Sequence, residues 1–381
     1  MKTIHLCTSS SWGGLELYAC TVMLELKRAG CEVIGICAQS SKVRTYLTDH
    51  QIPVMTLPGS YAVSLSALHF LRSLIDEQDA DIIHAHFHKD IWPASLALTF
   101  DERRKLFLSI YLGVPKKKDV FHRLIYNRVN GIFTSSLELC RRLPELYPVP
   151  ASKIHYLPYG REIGTYCTDA HRRAELRSSF GCDDSDFLVG TMVRIDPGKG
   201  VIDFARSFEK LDPTVKGRTK YLIIGEPTRK SRIRGNESPY EPESEAYVNQ
   251  IQSFIREKGL ADRVLCVGYQ PDLIGFLGAL DVFVFPSRDE LYSLVVLDAM
   301  AMGLPIVAAA AGGTLDQIAD QKSGLLYPVG DGTEMADRIS SYLLSKKLRD
   351  DHGVRAREFV ESHHSMDGMI RQLMDYYQNV S

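Results

Sequence analysis

Residues 187–200 read FLVGTMVRIDPGKG, and this stretch decides the fold. The apolar run Phe187–Val193 is long enough for a strand and too unbroken for one with a solvent face. It reads as a strand buried on both sides, as in parallel sheets. Pro197-Gly198 and Gly200 then turn the chain, and a helix-period segment follows at 201–211. Strand, glycine-containing turn and helix open a βαβ series. The series continues with strands at Tyr221–Ile224, Val264–Val267, Asp281–Phe285, Pro305–Ala309 and Gly324–Tyr327, separated by helices at 246–258, 293–302 and 333–345.

The same alternation runs upstream. Strands are expected at Thr3–Cys7, Val33–Cys37, Ile52–Leu57, Ile82–Ala85, Leu106–Ile110 and Gly131–Thr134. Leu15, Tyr18, Ala19, Val22 and Leu26 recur at helical spacing and Gly30 closes that helix; Leu65, Leu68, Leu71 and Ile75 mark another. Residues 160–186 are polar and read as a linker carrying one helix. The class is therefore α/β, with two Rossmann-like parallel-sheet domains in tandem, 1–165 and 166–364. A ligand cleft is expected between them. A chain of 381 residues has room for both. The stretch from Glu226 to Glu245 stands out as a long insertion, basic in its first half and acidic in its second; it is either functional or disordered.

Composition narrows the function. With 45 basic and 47 acidic residues the net charge is −2, which argues against a nucleic-acid binder. No apolar span reaches the length of a membrane helix, and the start lacks the marks of a signal peptide. The 8 cysteines form no C-x-x-C and lie mostly in apolar segments, as reduced, buried thiols of a cytoplasmic protein would. Residues 101–128 concentrate 8 basic against 3 acidic residues, including Lys116-Lys117-Lys118. They form either a solvated face or a patch for anionic lipid or a phosphorylated acceptor at the inner membrane surface.

Four motifs can carry chemistry. Gly13-Gly14, between a strand and a helix, lets backbone N–H groups approach an anion or simply makes a tight connection. Arg194 and Lys199 flank the Pro-Gly turn after a strand and suit a diphosphate. In the stretch Pro286–Pro305, Glu290 precedes a helix and can hold sugar hydroxyls. Ser293, Leu294 and Val295 offer free N–H groups at that helix start, and Asp298 lies inside an otherwise apolar helix, where a carboxylate needs a partner. Finally, His84, His86 and His88 alternate at the end of a strand and can share a face. A metal site is one reading of them, but no further ligand stands at convincing spacing.

Taken together, Gly13-Gly14 with Glu16, Asp81-Ile-Ile-His84-Ala-His86, Arg194…Lys199-Gly200, Asp281–Ser287 with Glu290, and Gly312-Gly313 resemble family 4 of the retaining glycosyltransferases, which have the GT-B fold. The likeness covers nearly the whole chain. It implies a sugar transfer from a nucleoside-diphosphate sugar (UDP- or GDP-linked) to a hydroxyl of a glycan or glycolipid, with retention; the basic segment 101–128 then suggests envelope polysaccharide or lipopolysaccharide synthesis. No metal and no resident cofactor are expected. By the resemblance Glu290, Arg194 and Lys199 are the catalytic set. Gly13, Gly14, Tyr269, Ser293, Leu294, Val295 and Asp298 bind the donor, with Tyr269 near the base and Asp298 at the ribose. His84, His86 and Tyr111 face the acceptor side. The terminal helix, within 365–381, returns to the first domain. The chain departs from the family pattern in three places: Asp298 replaces a glutamate, Tyr111 stands where a histidine is frequent, and Ser293 where glycine is common. The rival readings are a catalytically silent GT-B partner module, a nucleotide-sugar epimerase on the same fold, and a metal-dependent hydrolase built on His84 and His86.

Overall fold

The computed structural model describes residues 1–58, 64–111, 113, 116–230 and 239–380. It divides into two compact units, Met1–Gly160 with Met366–Ser381, and Arg161–Ser365.

The first unit is a seven-stranded sheet of β1 (Lys2–Cys7), β2 (Glu32–Cys37), β3 (Val54–Thr56), β4 (Ile82–Ala85), β5 (Lys105–Ser109), β6 (Gly131–Thr134) and β7 (Ile154–Tyr156), in the order β3-β2-β1-β4-β5-β6-β7. Its paired strands all run parallel. The order doubles back between β1 and β4, where Thr3 pairs with Val33 on one side and Ile82 on the other. Helix Gly14–Arg28 buries Tyr18, Ala19, Val22 and Leu26, the stripe read from spacing. The terminal helix Met366–Asn379 belongs to this unit. Its last turn is capped by Lys105, whose ammonium donates to the carbonyls of Tyr377 and Gln378. A cation there complements the helix dipole.

The second unit is a six-stranded sheet of β8 (Phe187–Met192), β9 (Thr219–Ile224), β10 (Val264–Gly268), β11 (Val282–Phe285), β12 (Ile306–Ala309) and β13 (Leu325–Tyr327), ordered β10-β9-β8-β11-β12-β13 and again parallel. The two sheets share one wiring diagram, apart from the extra strand β7. Linker helix Ala170–Ser179 is anchored to the sheet by charge: Arg173 and Arg177 both bind the carboxylate of Asp281, 2.7 and 2.8 Å away. Asp281 also accepts from the Leu188 amide, so the residue before β11 fastens both the linker and β8.

Several boundaries differ from the expectation. Ile154–Tyr156 was not expected as a strand; it is a three-residue edge strand, half-buried, with no apolar run to betray it. The expected helix at 246–258 begins earlier, at Pro242, so Glu243 and Glu245 lie in its first turn rather than in an insertion. Part of the insertion, 231–238, lies outside the described residues. Helix Lys346–His363 also escaped the reading, because it buries only His352, Gly353, Ala356 and Val360. Of the cysteines, Cys167 and Cys266 are exposed and Cys140 half-buried, against the expected burial. Among the described residues no helix is long and apolar enough to cross a membrane.

Candidate active site

In open parallel sheets, ligands bind beyond the C-terminal ends of the strands where strand order reverses. In the second unit that place lies between β8 and β11. Arg194 and Lys199 follow β8, and Glu290 follows β11. The turn after β8 works only with glycine at its end. Gly200 has φ +63°, and a Cβ there would lie 2.1 Å from the Pro286 carbonyl oxygen, so the turn rests directly on the end of β11. The Arg288 amide donates to the Gly198 carbonyl across the same gap, and the Arg288 guanidinium pairs with Asp203.

This contact brings Lys199 to Glu290, with the ammonium 2.7 Å from the carboxylate and both side chains half-buried. The glutamate loop is clamped from behind by Gly312-Gly313, where a Cβ on Gly313 would lie 1.8 Å from the Leu291 carbonyl oxygen. The Gly313 amide donates to the Glu290 carbonyl at 2.7 Å. Arg194 is exposed and lines a hollow of about 290 Å³ with Asp196, Thr228, Glu241 and Glu243.

Ser293 caps the helix Leu294–Ala301 by accepting from the Val296 amide. Its own backbone is held by a residue that sequence reading missed. The Gln317 amide side chain accepts from the Ser293 N–H at 3.1 Å and donates to its carbonyl at 2.7 Å. The Ser293 N–H is therefore engaged, and Leu294 and Val295 carry the amides of the first turn, which a helix leaves without internal partners. Asp298 is buried in that helix, and the partner its position demanded is present. One carboxylate oxygen accepts from Arg161 at 2.5 Å and from the Tyr166 hydroxyl at 2.6 Å. Burial and the neighbouring Asp298 carboxylate raise the Tyr166 hydroxyl well above its ordinary value. Tyr269 is exposed just after β10.

In the first unit the reversal lies between β1 and β4. Gly13 is extended and caps helix Gly14–Arg28 without a side-chain bond, and buried Glu16 in its first turn accepts from the Ser9 hydroxyl at 2.5 Å. Asp90 is fully buried and accepts from both the amide and the hydroxyl of Thr8, which ties the loop after β1 to the loop after β4. Burial pushes its carboxyl up to about 7, against the pull of those bonds.

His84 and His86 are buried, whereas His88 is half-buried and stands outside their cluster. Strand β4 ends at Ala85 and its ladder reaches only as far as the His86 amide, which donates to the Leu6 carbonyl, so the alternation does not carry on to His88. The third imidazole is instead His5, which stands opposite His84 on β1. The three could hold a metal ion by proximity, with ligand atoms within 4.8 Å of one another. Every ring nitrogen is already hydrogen-bonded: His5 to Thr3 and His86, His86 also to Tyr111, and His84 to Ser109 and Tyr377. Burial holds all three rings below the ordinary histidine value, His5 at about 3, so they are neutral. Tyr111 extends the chain of rings, its hydroxyl 3.0 Å from His86.

Two family models match the chain: Glycosyltransferase Family 4 over residues 12–163 and Glycosyl transferases group 1 over 172–359. The chain belongs to the group 1, family 4 glycosyltransferases. Its two Rossmann-like sheets are the GT-B fold. Among relatives of this family 4 chain, the alpha-D-kanosaminyltransferase of Streptomyces kanamyceticus is 29% identical over 239 residues, covering 61% of this chain and 56% of that protein. The chain spans about half the length of the first curated relatives it matches. The D-inositol 3-phosphate glycosyltransferase of Actinosynnema mirum is matched more fully, 28% identical over 371 residues, 89% of this chain and 85% of that protein. The crystal structure of Anabaena HepE in complex with UDP superposes with a TM-score of 0.83 at 20% identity, over 99% of this chain and 100% of that one.

Proposed function

We propose that this family 4 chain transfers a hexose or related sugar from a UDP-sugar to a hydroxyl of a glycan or glycolipid acceptor, with retention of configuration, in the synthesis of envelope polysaccharide. The observation that carries the reading is the Lys199–Glu290 pair at the β8/β11 reversal, backed by the first turn of helix Leu294–Ala301. Lys199 is placed to neutralise the donor diphosphate and stabilise it as it leaves, together with Arg194 and the Leu294 and Val295 amides. Without donor its charge rests on Glu290. When a diphosphate takes over Lys199, the Glu290 carboxylate is released to hold sugar hydroxyls. The second oxygen of Asp298 and exposed Tyr269 are assigned to ribose and base. UDP as the carrier is favoured by its presence in the HepE complex of the same fold. In the first unit, Gly13 and Gly14 take the donor side, and His84, His86 and Tyr111 the acceptor side.

The test is a thermal-shift panel of UDP, GDP and their sugar conjugates with EDTA present, followed by turnover with NMR of the anomeric product. A ligand at a hundred times its dissociation constant stabilises the native state by about 2.7 kcal/mol. UDP and its conjugates should raise the midpoint, and Lys199→Ala with Arg194→Ala should abolish the rise. A panel in which no nucleotide shifts the midpoint, or a product of inverted configuration, would defeat the reading.

A further inference from the structure

The basic segment of the first unit divides into two parts with different work. Arg103, Arg104, Lys105 and Arg128 are structural. Arg104 is buried between Asp76 and Asp101, Arg103 pairs with Asp79, Lys105 caps the terminal helix, and Arg128 donates to the carbonyls of Leu98, Asp101 and Arg104. Lys117 is turned inward as well, with its amide on the Leu146 carbonyl and its ammonium over the Tyr147 ring. Lys116, Lys118 and Arg123 remain exposed, and among the described residues no carboxylate pairs with them. The carboxylate of Asp119 between them is spent on capping helix Val120–Asn127 and on the His122 ring.

That helix is amphipathic in an unusual sense. Ile125 and Tyr126 are buried, as a core-facing stripe should be. Yet Val120, Phe121 and Leu124 are 76%, 71% and 66% exposed. At helical spacing these three share an arc of about 100°, separate from the buried stripe. Arg123 lies beside that arc. A cluster of large apolar side chains facing water has a transfer free energy to gain from any apolar phase. Lys116 and Lys118 immediately precede the Asp119 cap of that helix.

We propose that helix Val120–Asn127, with Lys116, Lys118 and Arg123, is a docking surface for an anionic lipid bilayer, into which Val120, Phe121 and Leu124 insert. The cations choose the partner. An apolar arc alone fits a protein or a second copy equally well, whereas one with Arg123 beside it and Lys116 and Lys118 just before its helix matches a negatively charged interface whose interior is hydrocarbon. This surface lies wholly in the first unit and does not depend on the donor reading.

The test is sedimentation of the full chain with vesicles of phosphatidylcholine alone, and of phosphatidylcholine mixed with phosphatidylglycerol, at low and high salt. The chain should bind only the mixed vesicles, and salt should weaken binding. Lys116→Gln, Lys118→Gln and Arg123→Gln together should cost roughly a hundredfold in affinity, at about fivefold per cation. Phe121→Ser and Leu124→Ser should cost roughly tenfold each. Val354→Ser, at an exposed apolar position of the second unit, should change nothing. All these positions are exposed, and unchanged thermal midpoints would show that the variants fold. Equal binding to both vesicle types, or binding that survives the triple replacement, would overturn the proposal. So would a chain that ignores vesicles but dimerises through Phe121 in sedimentation equilibrium.

Discussion

Mild acid should destabilise the first unit, because it houses three neutral imidazoles that water would protonate. His5, His84 and His86 are fully buried and held far below the ordinary histidine value of 6.5, His5 at about 3. The folded state accepts only the uncharged ring. Stability from each is therefore complete above 6.5 and is lost as pH falls below it, until the folded-state value is reached. Between pH 7 and pH 5 each ring costs about 2 kcal/mol, and the three together about 6 kcal/mol. Asp90 acts with the opposite sign. Its carboxyl is raised from 3.8 to about 7, so the fold favours the protonated acid and regains stability as pH falls through that range. Its gain between pH 7 and pH 5 is about 2 kcal/mol, which leaves a net loss of about 4 kcal/mol, a large share of an ordinary domain's stability. The chain has 2 tryptophans, Trp12 and Trp92, and both lie in the first unit, so their fluorescence reports this unit alone. With a urea slope near 2 kcal/mol/M, the fluorescence midpoint should drop by about 2 M from pH 7 to pH 5. Asp90→Asn should steepen the drop to about 3 M by removing the offset. Midpoints equal at the two pH values would refute the reasoning, since buried rings that titrate normally contribute no slope.

Two further perturbations test how the second unit holds its site. Gly313→Ala puts a Cβ where the Leu291 carbonyl stands, so the loop carrying Glu290 must move; UDP should lose at least tenfold in affinity by calorimetric titration, while the circular-dichroism spectrum stays native. Arg161→Met leaves the buried Asp298 carboxylate with only Tyr166 among the described residues and should destabilise the second unit by about 3 kcal/mol, read by scanning calorimetry. A thermogram unchanged by that substitution would mean the carboxylate is not held by the pair.

The strands were legible because both faces of each parallel sheet are covered, which writes uninterrupted apolar runs into the sequence. The exceptions obey the same physics: β7 is a half-buried edge, and helix Lys346–His363 touches the core at few points. At the candidate site, Lys199 and Glu290 were singled out by their places after strands, and the fold pairs them. Arg161, Tyr166 and Gln317 were not, since each acts on a residue 24 to 137 positions away and carries no local pattern. His5 was hidden inside an apolar strand; only the adjacency of β1 and β4 reveals it as the third imidazole. His88, by contrast, was grouped by an alternation that the strand ladder does not sustain past His86.

The terminal helix has a consequence for how the protein is made. His84 and the Tyr377 hydroxyl that it meets are 293 residues apart. On the ribosome the entire Arg161–Ser365 unit emerges between the two pieces of the first unit. Of the two units, the one that emerges first is thus the later to be completed, and its nascent sheet waits with His84 lacking one partner while the other unit is synthesised and free to fold. Assembly order is the reverse of reading order. A nascent chain whose residues have emerged only as far as 365 would carry a complete second unit joined to an unfinished first one, which is the species a chaperone would meet.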